Sequence, residues 1–245
     1  MKADSIVIIP TYNEKENIEK IIRRVLSYEK QFDILVVDDN SPDGTAAIVK
    51  GLQAEIPERI YLLERQEKQG LGVAYIAGFR WCLDHGYEYL FEMDADFSHN
   101  PDDLIRLYQA CVDGADAAVG SRYVSGVNVV NWPMKRVLLS YFASKYVHLI
   151  TRMPICDSTA GFVCYTSKVL KALDFDAIRF KGYAFQIEMK FEIWTRGFNI
   201  VEVPIIFTDR KEGVSKMNGG IIKEAVFGVI AMKWHSLGKK KVNKE

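Results

Sequence analysis

No stretch of this 245-residue chain is apolar for the roughly eighteen residues that a membrane-spanning helix needs. Net charge is absent too: 32 lysines and arginines balance 32 aspartates and glutamates, so there is no long-range basic field to draw in nucleic acid. The four cysteines, Cys82, Cys111, Cys156 and Cys164, stand far apart, with no C-x-x-C and no histidine at ligand spacing. That excludes a zinc ribbon and a disulfide scaffold and fits a reducing, cytosolic setting. The opening "MKADSIVIIP" runs into a short apolar segment bounded by Pro10, too short for a signal-peptide core and lacking a small-residue cleavage site. The four histidines are scattered, and no Ser-His-Asp or Cys-His arrangement is evident. A dinucleotide fold would place G-x-G-x-x-G after its first strand, where this chain has "PTYNE".

What is present is ordinary globular composition, 49% hydrophobic and 26% charged, enough to bury one sizeable core. Short apolar runs alternate with longer amphipathic ones. "SIVIIP", "DILVVDD", "RIYLLE", "YEYLFEMD" and "DAAVGSRY" read as strands. The segments "EKENIEKIIRRVLSY", "GTAAIVKGLQAEI", "LGVAYIAGFRWCLDHG" and "PDDLIRLYQACV" read as helices between them. Nearly all-apolar strands taking turns with helices predict an α/β fold with a mostly parallel sheet and helices on both faces. Ligands of such sheets bind at the carboxyl ends of the strands, so the residues after each strand carry the functional signal.

After the first strand comes "PTYNE", Pro10 to Glu14, and after the second "DDNSPDGT", Asp38 to Thr45. Asp43 and Gly44 suit a tight turn that starts the next helix. The adjacent Asp38 and Asp39 repel each other unless a hydrogen-bond donor or a positive charge answers them. The glycines of "EKQGLG", Glu67 to Gly72, suit a helix-start turn or a close backbone approach to a ligand.

"MDADFSHNP", Met93 to Pro101, is the sharpest signal. If strand geometry continues through residues 94–96, Asp94 and Asp96 project to one side while Ala95 faces away. Two such carboxylates suit one hard divalent cation, because Mg²⁺ takes one or two protein carboxylates and completes its shell with water and substrate phosphates. Mg²⁺ and Mn²⁺ accept the same oxygen donors and are not distinguished. His99 reads as a turn histidine rather than a base. Glu188, within "FQIEMKFEIW", reads as a charge on a helix face or as a carboxylate turned toward the site.

The ordered set "IIPTYNE", "VVDDNSPDGT", "QGLGVA", "MDADFSHNP", "VGSRY", "NWPMKR" and "STAGFVCY" resembles the family-2 glycosyltransferases, and among them the polyprenol-phosphate sugar transferases. The likeness spans roughly residues 5–216, and co-ordered motifs are far more specific than any one of them. It implies a GT-A fold, a nucleotide-sugar donor, a polyprenyl phosphate acceptor in a membrane, and transfer of mannose from GDP-mannose. By the same likeness Pro10, Tyr12 and Glu14 meet the nucleoside, and Asp39 the base or ribose. Asp94 and Asp96 hold the metal at the diphosphate. Ser98 stands where some relatives have glutamine and is the candidate third ligand. Arg122, Arg136 and Ser140 receive the acceptor phosphate, and Arg210 and Lys216 the donor diphosphate. Asp96 and Arg122 are the candidate catalytic residues.

The chemistry favours the same residue types independently. Sugar transfer from a nucleoside diphosphate builds negative charge on the leaving group, which a divalent cation and arginines stabilise. A phosphate monoester nucleophile is largely a dianion near neutral pH, because its second pKa is about 6, and so needs no general base. Arginine's fork suits phosphate oxygens. Direct displacement inverts the anomeric centre.

Residues 1–217 are expected to form the catalytic domain and residues 218–245 an amphipathic helix with a basic tail. The latter, with Trp234 and three adjacent lysines, and residues 137–150 suit either core packing or a membrane interface. The expected location is the cytosolic face of a membrane, held peripherally or by a small membrane subunit. Transfer of glucose from a uridine donor is the alternative reading. A receiver-like nucleotide-binding module is a remote one, since its acid pair would follow the first strand.

Overall fold

The computed structural model of the chain describes residues 3–182, 184–209 and 227–234. The five expected strands form where the apolar runs lie: β1 (Ser5–Thr11), β2 (Asp33–Asp38), β3 (Ile60–Glu64), β4 (Tyr89–Glu92) and β5 (Ala117–Ser121). Between them run α1 (Ile18–Leu26), α2 (Thr45–Glu55), α3 (Leu71–Asp84) and α4 (Asp103–Val112). The rest of the chain adds β6 (Val129–Val130), α5 (Met134–Thr151), β7 (Val163–Thr166), α6 (Ser167–Lys171), α7 (Ala184–Thr195), β8 (Ile200–Pro204) and β9 (Phe207–Thr208).

Seven strands make one sheet in the order β3-β2-β1-β4-β7-β5-β8, and β6 pairs with β9 in a small second sheet. All neighbours in the large sheet are parallel except β7, which runs antiparallel between β4 and β5. The mostly parallel α/β architecture expected from the sequence is therefore present.

Strand residues alternate between two cores. Val7, Ile9, Ile34 and Val36 pack with α1, α2 and α4 on one face, while Ile6, Ile8, Leu35 and Val37 pack with α3 and α7 on the other. All eight are fully buried. Burial of each such side chain stabilises the fold by about 1.5–3 kcal/mol, and burial on both faces is why these strands read as unbroken apolar runs. A third, smaller cluster joins Val147 of α5, Ile187 and Phe191 of α7, and Val229 and Met232 of the helical segment 227–234.

The sheet opens where the site lies. β4 pairs with β1 only as far as Ile8 opposite Glu92, whereas β1 continues beside β2 to Thr11 opposite Asp38. Ile8 turns its carbonyl to the β4 side, where it accepts the Met93 amide. Pro10, two residues on, faces the same side after β4 has ended. Its missing N–H therefore costs no ladder bond, which is how proline is tolerated in a central strand.

Candidate active site

The ends of β1, β2 and β4 gather the acids. Asp38 and Asp39 are both buried, and each is answered, as the repulsion between them requires. The Thr11 and Ser41 hydroxyls donate to Asp38 Oδ1 at 2.7 and 2.6 Å, and the Ser41 amide donates to its Oδ2 at 2.8 Å. Asp39 pairs with Arg65 of the loop after β3, Nη1 to Oδ1 at 2.8 Å. Burial pushes the Asp39 carboxyl above its ordinary value while Arg65 opposes the rise. Lys68 of the same loop lies 4.3 Å above the Tyr12 ring. Nothing local to Arg65 or Lys68 marks them in the sequence, because their partners lie far along the chain.

Asp43 behaves as expected of a turn. Its carboxylate accepts the Thr45 amide and hydroxyl and the Lys15 amide, and Gly44 takes φ 92° to start α2. Glu14 and Tyr12 are half-buried at the mouth of β1. The glycines at the start of α3 serve protein contacts. The Gly72 amide donates to the Lys181 carbonyl at 2.9 Å, and a Cβ on Gly72 would lie 2.6 Å from the Phe185 ring.

The Asp94–Asp96 segment differs from the expected strand, because β4 ends at Glu92 and residues 95 and 96 form a turn. His99 takes the place of a ladder partner, its Nδ1 accepting the Asp94 amide at 3.1 Å. Asp96 Oδ1 accepts the Ser98 amide at 3.1 Å, and Phe97 adopts φ 60°. The alternation of burial survives: Ala95 is buried, Asp94 and Asp96 are half-exposed. Among the described residues no three His, Cys, Asp or Glu side chains converge as a metal cage. Two half-exposed carboxylates fit a cation that draws its remaining oxygens from water and a diphosphate. Ser98 is buried and enters the turn through its amide.

His99 is fully desolvated and its ring stacks on Phe162, with centroids 4.9 Å apart. Burial lowers its pKa to about 4, so the ring is neutral and free to accept at Nδ1. Beneath the turn, Glu92 Oε2 accepts Gln186 Nε2 at 2.8 Å. Lys190 donates to the Ala160 carbonyl at 2.6 Å and to the Gln186 carbonyl at 3.1 Å. Burial raises the Glu92 carboxyl and lowers the Lys190 ammonium. The hydroxyl of Tyr75, on α3, is buried without a hydrogen-bond partner among the described residues, in the field of Asp94 and Glu92. Glu188 faces neither solvent nor site: it is buried and accepts the Arg179 and Phe180 amides at 2.9 and 3.0 Å.

The basic residues collect after β5 and at the start of α5. Arg122 is buried and bidentate to the buried Asp157, Nε to Oδ2 at 2.7 Å and Nη2 to Oδ1 at 2.6 Å, with Thr159 a further acceptor at 2.8 Å. Burial raises the Asp157 carboxyl, but the charge and hydrogen bonds of Arg122 outweigh it and hold Asp157 below the ordinary carboxylate range. Glu202 braces this loop by accepting the Cys156 and Asp157 amides at 2.7 and 2.9 Å. Arg136 donates from Nη1 to Asp209 at 2.8 Å, and its guanidinium stacks 4.1 Å from the Trp132 ring. Ser140 follows one helical turn later and is half-buried. Asp157, Asp209 and Trp132 went unassigned in the sequence, although "STAGFVCY" and "NWPMKR" flagged their neighbourhoods. Arg210 and Lys216 lie outside the described residues.

The acids and the arginines meet through aromatic rings. Phe207 packs edge-on against both His99 at 5.5 Å and Trp132 at 5.2 Å, and lies 5.5 Å from the Arg122 guanidinium. A cleft of about 560 Å³ beside them is lined by Asp96, Phe97, Asn100, Ile206 and Asp209 among others.

A two-carboxylate turn at the C-terminal edge of an α/β sheet, faced by arginines, suits a nucleoside diphosphate and a second anion. The family comparison agrees with it: residues 6–173 match the description "Glycosyl transferase family 2". The chain belongs to that family.

Relatives in this family include the polyprenol monophosphomannose synthase of Mycolicibacterium smegmatis, 50% identical over 225 residues, or 92% of this chain and 85% of the relative. The undecaprenyl-phosphate mannosyltransferase of Micrococcus luteus is 47% identical over 236 residues, covering 95% and 96% of the two chains. Among solved structures, a Pyrobaculum calidifontis mannosyltransferase in complex with GDP-mannose and Mn²⁺ superposes with TM-score 0.64 at 19% identity, over 99% of this chain and 66% of that one. Glucosyl-3-phosphoglycerate synthase of Mycobacterium tuberculosis gives TM-score 0.67 at 16% identity, over 97% and 81%. These structural likenesses identify the fold as GT-A.

Proposed function

We propose that this glycosyltransferase moves mannose from GDP-mannose to a polyprenyl phosphate, with a divalent cation and with inversion. The observation that carries the chemistry is the juxtaposition of the half-exposed Asp94 and Asp96 with Arg122 and Arg136 across His99, Phe207 and Trp132. The identity of sugar and lipid rests on the names of relatives nearly half identical over almost the whole chain.

In this reading Pro10, Tyr12, Glu14 and Asp39 receive the nucleoside, with Arg65 holding Asp39 in place. Asp94 and Asp96 are the residues that would hold Mg²⁺ or Mn²⁺, which would supply positive charge for the departing diphosphate. Arg122 and Arg136, with Ser140, hold the acceptor phosphate. That phosphate attacks as the dianion it already is near neutral pH, so no side chain has to remove a proton. Asp157 keeps Arg122 charged and aimed, and His99 fixes the Asp94 backbone. Attack on the face opposite the diphosphate inverts the anomeric carbon. Residues 1–217 make up the catalytic domain, with Arg210 and Lys216 at the donor diphosphate.

Among the described residues no helix is long and apolar enough to cross a membrane. The exposed side chains Met134, Leu138 and Phe142 make one stripe on α5, and Phe227, Ile230 and Trp234 make another on the helical segment 227–234. Both stripes suit a peripheral position at the cytosolic face of the bilayer that carries the acceptor, within reach of a small membrane subunit.

The test is incubation of the protein with a short polyprenyl phosphate, Mg²⁺ and labelled GDP-mannose or labelled UDP-glucose, followed by extraction of label into organic solvent. The reading predicts label from GDP-mannose that EDTA abolishes. Label from UDP-glucose alone would keep the mechanism and overturn the donor; transfer that survives EDTA would overturn the metal.

A further inference from the structure

We propose that Trp132 is a binding and positioning residue for the acceptor phosphate: its indole N–H donates to a phosphate oxygen, and its ring sets the separation of the two arginines that flank that phosphate. The inference deepens the function proposed above and rests on it. Three observations carry it.

Trp132 Nε1 is buried and has no hydrogen-bond partner among the described residues, and the same holds for Arg136 Nε. Buried donors are almost always satisfied, because an unmet one forfeits its hydration without return. The two unmet donors lie on touching side chains, and both call for an oxygen-rich, negatively charged group. Arg136 has already committed Nη1 to Asp209, and Nε of the same guanidinium is the donor left unmet.

The Trp132 ring also contacts both guanidinium groups, 4.1 Å from that of Arg136 and 5.4 Å from that of Arg122. Two like charges in a half-buried site repel, and an aromatic ring that attracts both holds them at a fixed distance. Phe207 packs at 69° to the indole, with centroids 5.2 Å apart, and limits its rotation.

The anion is a phosphate, and two phosphates enter this site: that of the lipid acceptor and those of the nucleotide donor. Position favours the acceptor. Trp132 and Arg136 flank the small β6-β9 sheet, through which Asp209 reaches Arg136. The nucleoside residues and the D-x-D turn follow β1, β2 and β4 instead.

The substitution Trp132→Phe keeps the ring and removes the N–H. With labelled GDP-mannose and a short polyprenyl phosphate, W132F should raise the acceptor KM by about tenfold to a hundredfold, the range for one hydrogen bond to a charged partner, and leave the donor KM unchanged. Trp132→Leu, which also removes the spacer, should lower kcat in addition. An unchanged acceptor KM in W132F, or a rise in the donor KM instead, overturns the inference while the proposed function stands. Absence of transfer by the unsubstituted chain overturns both.

A second readout needs no kinetics and no folded W132F. In the ¹⁵N-labelled full chain, replacement of Trp81, Trp194 and Trp234 by Phe leaves Trp132 as the one indole N–H signal. Polyprenyl phosphate should shift that signal downfield, as a new hydrogen bond to phosphate requires. GDP-mannose with Mg²⁺ should leave it in place. A signal that ignores polyprenyl phosphate, or follows the nucleotide sugar alone, contradicts the proposal.

Discussion

The acidic side of the site, at the ends of β1, β2 and β4, takes several of its hydrogen bonds from near neighbours in sequence. The basic side, after β5 and on α5, is built from distant ones. Asp38 is satisfied by Ser41 and Asp96 by the Ser98 amide, three and two residues away. Arg122 is held by Asp157, 35 residues on, and Arg136 by Asp209, 73 residues on. The two sides also differ in burial: Asp94 and Asp96 are half-exposed, whereas the Arg122–Asp157 pair is nearly sealed from water. The half-exposed acids can exchange water for a cation and a diphosphate at little cost to the fold. The sealed pair has given up hydration and is stable only while both partners are present.

The contrast predicts opposite mutational behaviour. Asp96→Asn should lower kcat/KM by about a thousandfold, or roughly 4 kcal/mol of transition-state stabilisation. Its thermal midpoint should stay close to that of the parent. A matching fall in stability would show that the acid is structural. On the other side, Asp157→Ala strands a buried guanidinium and should cost about 3–5 kcal/mol of stability. At roughly 2–4 °C per kcal/mol for a chain of this size, calorimetry should read a fall of about 6–20 °C together with loss of activity. An intact thermal midpoint would mean that water reaches Arg122.

Arg65→Met tests a long-range ion pair on the acidic side. The buried Asp39 would lose its counter-charge, and the donor KM should rise by about tenfold with the acceptor KM unmoved. Steady-state kinetics varying each substrate in turn would expose a wrong assignment as a change in the other KM. Ser98→Ala should have the smallest effect, less than about threefold on kcat, because Ser98 joins the turn through its amide. A metal-dependent loss larger than that would make its hydroxyl a ligand.

The same contrast explains what could be read in advance. Runs such as "DILVVDD" announce strands buried on both faces, and acids directly after them announce a site, because both signals are local. The antiparallel β7 is four residues long, and its direction is set by its neighbours β4 and β5 rather than by anything within "VCYT". The Asp94–Asp96 strand failed as an expectation because His99, five residues on, takes the amide that a ladder would have used. Glu188 fell outside both readings of the sequence: a carboxylate that clamps the amides of residues 179 and 180 looks, in one dimension, like any charge on a helix. Arg122 and Arg136 were visible only through motif order, since nothing near either names its partner.

The central claim is that the acids hold the donor through a cation while the arginines hold the acceptor. Calorimetric titration of GDP-mannose in Mn²⁺ into the parent, D96N and Arg136→Met tests it directly. R136M should bind the nucleotide sugar as the parent does, whereas D96N, like the parent in EDTA, should lose most of that affinity. Full donor binding by D96N, or its loss in R136M, would contradict the division of the site.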